Sequence, residues 1–142
     1  MRRDYFTLEV ANVDASGLPT VRIDFEGPSE AFVDRLSDES GATLDAGELD
    51  VTYRLQDDER GVFGVTNRIT GEFIFEVNAD TDVVLGFLQA ARERQSDDDR
   101  YRLQVLVDGE TVLDHEKETL LVYDASGDLL RSDSLIPSGV EL

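Results

Sequence analysis

Thr20-Val21-Arg22-Ile23-Asp24-Phe25-Glu26-Gly27-Pro28-Ser29-Glu30-Ala31-Phe32-Val33-Asp34-Arg35-Leu36 changes its hydrophobic period once, and that change decides the fold class. From Thr20 to Phe25 the apolar Val21, Ile23 and Phe25 alternate with Arg22 and Asp24, the period of two that a half-buried strand requires. Past Gly27 the period lengthens. Pro28 suits the first helical position, Glu30 sits where the helix dipole favours an acid, and Phe32, Val33 and Leu36 make one buried stripe. Gly41 stops the helix.

Working outward, Tyr5 to Val13 alternates as a first strand, with Phe6, Leu8 and Val10 on one side. Asp14-Ala15-Ser16-Gly17 turns the chain into the second strand. On the other side of the helix, Leu49, Val51, Tyr53 and Leu55 alternate again. Val62 to Thr66 and Glu72 to Val77 form a hairpin across Asn67-Arg68-Ile69-Thr70-Gly71. A second helix is expected from about Asp80 to Arg94, with Val83, Val84, Phe87, Leu88 and Ala91 as its stripe. Asn78 or Asp80 can cap it. Tyr101 to Val107, Thr111 to Leu113, Leu120 to Tyr123 and Leu129-Leu130 read as further strands.

The chain also matches itself. Tyr-Arg-Leu-Gln occurs at Tyr53 to Gln56 and at Tyr101 to Gln104; Asp-Ala-Ser-Gly occurs at Asp14 to Gly17 and at Asp124 to Gly127. Either a doubled β-α-β-β unit or chance produces such short matches. The expected fold is α+β: one antiparallel sheet with two helices on one face, residues 1–142 as a single domain, residues 131–142 as a C-terminal tail.

Charge is the loudest compositional signal. The chain has 32 Asp and Glu against 13 basic residues, of which Lys117 alone is lysine, for a net charge of −19. On a surface of roughly 7,000 Å² these acids stand about 15 Å apart. They repel one another across a Debye length of about 30 Å at 0.01 M salt and scarcely interact at 1 M, where that length is about 3 Å. The reading is a carboxylate coat suited to concentrated salt, leaving recognition to the apolar and arginine positions. Hydrophobic residues make up 40% of the chain, enough for a core, which excludes disorder. No apolar run approaches the length of a membrane span, and no apolar segment follows Arg2-Arg3 to make a signal peptide.

Catalytic chemistry finds few anchors. With no cysteine there is neither a thiolate nucleophile nor a Cys-ligated metal. His115, the one histidine, is flanked by Asp114 and Glu116, but neighbours on a strand point to opposite faces. It reads as a surface residue in a polar turn. Gly61-Val62-Phe63-Gly64 is no phosphate loop, since it falls in a strand pair; a bulge or a close backbone approach suits it better. Asp97-Asp98-Asp99 reads as a hydrated loop and Asn78-x-Asp80-x-Asp82 as a helix cap rather than Ca²⁺ or Mg²⁺ sites. No enzyme activity, metal or cofactor is therefore expected.

Ser134-Leu135-Ile136-Pro137-Ser138-Gly139-Val140-Glu141-Leu142 is unusually apolar for so acidic a chain. It either packs back over the sheet or binds a partner through Leu135, Ile136, Pro137, Val140 and Leu142. Together with Met1 to Leu8 and with Val65-Thr66-Asn67-Arg68-Ile69-Thr70-Gly71-Glu72-Phe73, this ending resembles small acidic haloarchaeal proteins grouped as a domain family of unknown function. The resemblance covers nearly the whole chain. It implies a cytoplasmic protein of a salt-loving archaeon and carries over no activity and no functional residue. The functional expectation is a non-enzymatic protein-interaction or adaptor module with an unidentified protein partner and no membrane. The alternative is a nucleic-acid-associated module, by analogy with sliding-clamp and TATA-binding sheets, with Arg92 to Arg102 as its basic cluster.

Overall fold

The period of two at residues 20–25 and the longer period after it give a strand and a helix where expected. The computed structural model describes residues 5–11, 18–27, 29–93 and 101–136. In chain order its elements are β1 (Phe6–Ala11), β2 (Thr20–Phe25), α1 (Ser29–Arg35), β3 (Leu49–Leu55), β4 (Arg60–Asn67), β5 (Phe73–Asp80), α2 (Thr81–Glu93), β6 (Tyr101–Val107), β7 (Glu110–Lys117) and β8 (Leu121–Tyr123), with a 3-10 turn at Ala46–Glu48 before β3. The fold is α+β. Leu129 does not open a strand of its own but makes an isolated bridge to Tyr123.

One expectation changes. The strands form two four-stranded sheets rather than one antiparallel sheet, in the orders β1-β2-β6-β7 and β5-β4-β3-β8. Hairpin neighbours pair antiparallel, whereas β2 with β6 and β3 with β8 pair parallel. The reason is coverage. A helix of seven residues and one of 13 are too little to bury the apolar faces of eight strands, so the sheets cover each other.

Nor do the helices share one sheet face. The ring of Phe32 on α1 meets Phe6 and Phe25 of the first sheet and Phe75 of the second, at centroid separations of 5.2, 4.6 and 5.9 Å. Phe87 of α2 meets Tyr101 of β6, while α2 also packs on β5. Each helix carries the chain from one sheet to the other. The analogy with clamp and TATA-binding domains rests on one continuous sheet, whereas the strands here divide into two.

The repeated Tyr-Arg-Leu-Gln does not mark equivalent places in one doubled sheet. Tyr53 lies well inside β3 and Tyr101 opens β6, in different sheets. What the two share is chemistry: each is fully buried with its hydroxyl donating to a carbonyl, Tyr53 to Ala79 at 2.9 Å and Tyr101 to Thr119 at 2.7 Å. Burial pushes both phenols above their ordinary pKa.

β7 runs past Leu113 through His115 to Lys117, beyond its expected end. His115 stands opposite Leu103 and Lys117 opposite Tyr101, so both side chains point inward. There His115 Nε2 donates to the Leu44 carbonyl at 2.7 Å, and Lys117 Nζ donates to those of Ala46 and Leu49 at 2.6 and 2.7 Å. The surface-turn reading of His115 is thereby corrected: residues 44–49 lie against β7 and direct their carbonyls at it. Lys117→Met keeps the stem and removes these donors. Each orphaned carbonyl costs about 1–3 kcal/mol, so urea unfolding in molar KCl should show a loss of about 3 kcal/mol. A loss under about 1 kcal/mol would show that the lysine contributes little.

Candidate functional site

Solvent meets two outer sheet faces of different chemistry. On the first sheet the outward positions are polar: Glu9 stands across from Arg22, and Arg102 forms ion pairs with Asp114 at 3.5 Å and Glu116 at 3.1 Å. Gln104 also donates to Asp114. A polar hollow of about 460 Å³ lies on this face, lined by Thr20, Arg22, Arg102 and Gln104 among others, and Arg102 within it is taken up by its own acids.

The second sheet places other residues outward. Register sets Glu76, Gly64, Thr52 and Leu121 in one row across β5, β4, β3 and β8, with Asn78, Val62, Arg54 and Tyr123 in the next. A concavity of about 350 Å³ lies over them, lined by Thr52, Arg54, Val62, Gly64, Phe73, Glu76 and Tyr123. Phe73 is 60% exposed at its rim, the one exposed aromatic ring among the large apolar side chains that the described residues leave in water, with Ile69, Val33 and Val83. Val62 is buried although it faces outward.

Two glycines of β4 separate packing from function. At Gly61 a Cβ would lie 2.6 Å from the Arg54 carbonyl oxygen and 2.6 Å from the Tyr53 ring, so the fold itself demands glycine. At Gly64, the floor of the concavity, a Cβ would meet only ordinary contacts, the nearest being Thr52 Oγ1 at 3.5 Å. Its φ also lies outside the left-handed region. The chain's own packing leaves room for a side chain there, and a strand glycine in that position serves either the irregularity at Val65–Thr66 beside it or a close approach by another group.

A larger hollow of about 530 Å³ lies between the end of α1 and the β4–β5 turn, lined by Asp34, Asp38, Glu48, Ile69 and Glu72 among others. Asp38 is committed within it: hydrogen bonds from the Ser40 hydroxyl and from backbone amides hold its carboxyl below the usual range. Its acids are continuous with the general coat and single out no ligand.

The residues singled out from sequence are scattered. Leu135 is fully buried and exchanges backbone hydrogen bonds with Leu120 at 2.8 and 3.1 Å, which puts it in the core. Ile136 is half-buried, and Pro137, Val140 and Leu142 lie outside the described residues. Asp97-Asp98-Asp99 also lies outside them. Asn78 and Asp80 belong to β5, with Asp80 immediately before the first residue of α2 and 3.8 Å from Arg60. Among the described residues no group of three His, Asp or Glu is arranged to hold a metal. Of the basic cluster, Arg92 donates to the Asp133 carbonyl and Arg102 is paired as above.

Sequence reading missed Phe73, Gly64 and Arg54 as a group. The signal available was Gly61-Val62-Phe63-Gly64, readable as a bulge or a close backbone approach, but dividing those uses between the two glycines needs the register. A family of unknown function, DUF5793, matches residues 1–142. The chain belongs to that family. It matches no curated protein and no solved structure. The segments at 1–8, 65–73 and 134–142, which pointed to a family of unknown function, lie within this match. No helix among the described residues is long and apolar enough to cross a membrane.

Proposed function

We propose that this member of the family is a non-enzymatic protein-interaction module of the cytoplasm, whose contact surface is the outer face of the second sheet. One observation carries the reading: exposed Phe73 rims a concavity whose floor, Gly64, has room for a side chain that the chain does not place there. The face is shallow and spread over four strands, a shape that suits a partner's surface. The one histidine and the one lysine are occupied, since His115 and Lys117 both face inward onto main-chain carbonyls. A partner would cover Phe73 as the anchor of a desolvated patch, the position where interface energy concentrates.

The test is capture of proteins from cell extract in molar KCl, comparing the parent with Phe73→Glu and with Thr7→Glu on the opposite sheet. Truncating or charging a central anchor costs about 2 kcal/mol or more, so Phe73→Glu should lose over 90% of any stoichiometric partner. Thr7→Glu should retain it. Equal capture by both variants would remove this face from consideration.

A further inference from the structure

The interaction reading leaves open what the face recognises, and Arg54 supplies an answer that rests on that reading. Arg54 projects outward from β3, and its neighbours across the sheet are Val62 on β4 and Tyr123 on β8. In a chain with 32 carboxylates its side chain makes no hydrogen bond or ion pair among the described residues. Arg22 on the first sheet differs, with Glu9 directly across from it. Arg68, beside the same face, is already bound to Asp50 at 2.7 Å. Arg54 is thus a cation beside a partly apolar hollow, with no acid on either adjacent strand and Glu76 two strands away on β5.

We propose that the concavity binds a partner segment that presents an apolar or aromatic side chain together with a carboxylate. The side chain lies over Gly64 between Phe73 and Tyr123, and the carboxylate pairs with Arg54. The dimensions agree. Phe73 and Tyr123 stand on the outer strands of the four, roughly 14 Å apart across the sheet and about 13 Å apart along it, with Gly64 on the diagonal between them, a span that admits one extended chain. A side chain at position 64 would stand where the partner's side chain has to lie. A guanidinium offers paired donors that match a carboxylate, and a neighbouring apolar wall strengthens the bond by excluding water. The net charge of −19 sharpens the prediction, because the field of the whole molecule opposes an anion. Any preference for an acid must come from a local cation.

The experiment titrates the full ¹⁵N-labelled chain in molar KCl with N-acetyl-phenylalanine and, separately, with its uncharged carboxamide. Saturable shifts should centre on the amides of Thr52, Gly64 and Tyr123, with the acid binding about tenfold tighter, the effect of one charged hydrogen bond. Arg54→Gln, an exposed change that leaves the core intact, should bring the two probes within about twofold of each other without abolishing carboxamide binding. Equal affinities in the parent chain would overturn the acid preference, as would shifts centred elsewhere. A gel-filtration mass of two copies that Phe73→Glu returns to one would assign the face to a second copy of this chain and overturn the proposal. The interaction reading is judged separately by the capture experiment, which does not depend on a carboxylate.

Discussion

Dialysis from molar KCl into about 0.01 M salt should unfold the chain, with the strand signal in circular dichroism lost and then recovered when salt is restored. The exposed surface is 8092 Å² and carries most of 32 acids, about 16 Å apart. At low salt the Debye length spans about two such spacings, and every carboxylate then repels several neighbours. Compensation on the structure is thin. Ion pairs such as Arg60 with Asp80, Arg68 with Asp50, and Arg102 with Asp114 and Glu116 are substantially exposed. Exposed pairs contribute about 0–1 kcal/mol each. Against a net charge of −19 and a total stability of about 5–15 kcal/mol, that is too little. An unchanged spectrum at 0.01 M would contradict this and would require the acids to be reread as a binding surface.

Gly61→Ala should be nearly as damaging, costing about 3–4 kcal/mol in chemical unfolding at molar salt. Its Cβ has to displace either the Arg54 carbonyl, which belongs to the β3–β4 ladder, or the ring of Tyr53, which is fully buried. Moving the ring also breaks the Tyr53 hydroxyl's bond to Ala79 and its contact with Thr81 at 3.2 Å. Neither neighbour is the free end of a flexible side chain, so relaxation is expensive. A loss below about 1 kcal/mol would mean that β3 and β4 lie farther apart than described.

Much of the fold was legible, and the reason is periodicity. Val21, Ile23 and Phe25 alternate because one side of β2 is core, and the stripes containing Phe32 and Phe87 recur at helical spacing because one side of each helix is core. The expected second helix, from about Asp80 to Arg94, agrees with the observed Thr81–Glu93 within a residue. Alternation does not say which strands share a sheet, so the division into two sheets and the parallel pairs went unread. The end of β7 was misread for a different cause. His115 and Lys117 are polar but face inward, because their partners are main-chain carbonyls 68 to 71 residues away, which no local pattern reveals. The candidate site was illegible for a related cause: Arg54, Val62, Gly64 and Phe73 lie on three strands and meet only through register. Tail residue Leu135 shows the converse, since an apolar residue near a terminus reads equally as packing or as recognition until its bridge to Leu120 is seen.

Gly64→Ala, unfolded in urea beside the parent at molar KCl, tests most directly whether the open floor serves an occupant rather than the fold. The account predicts a variant as stable as the parent or more stable by about 0.5–1 kcal/mol, the gain expected when alanine replaces a strand glycine that packing does not require. A loss of about 2 kcal/mol or more would show that β4 itself needs the glycine, and the case for a bound partner over it would fail.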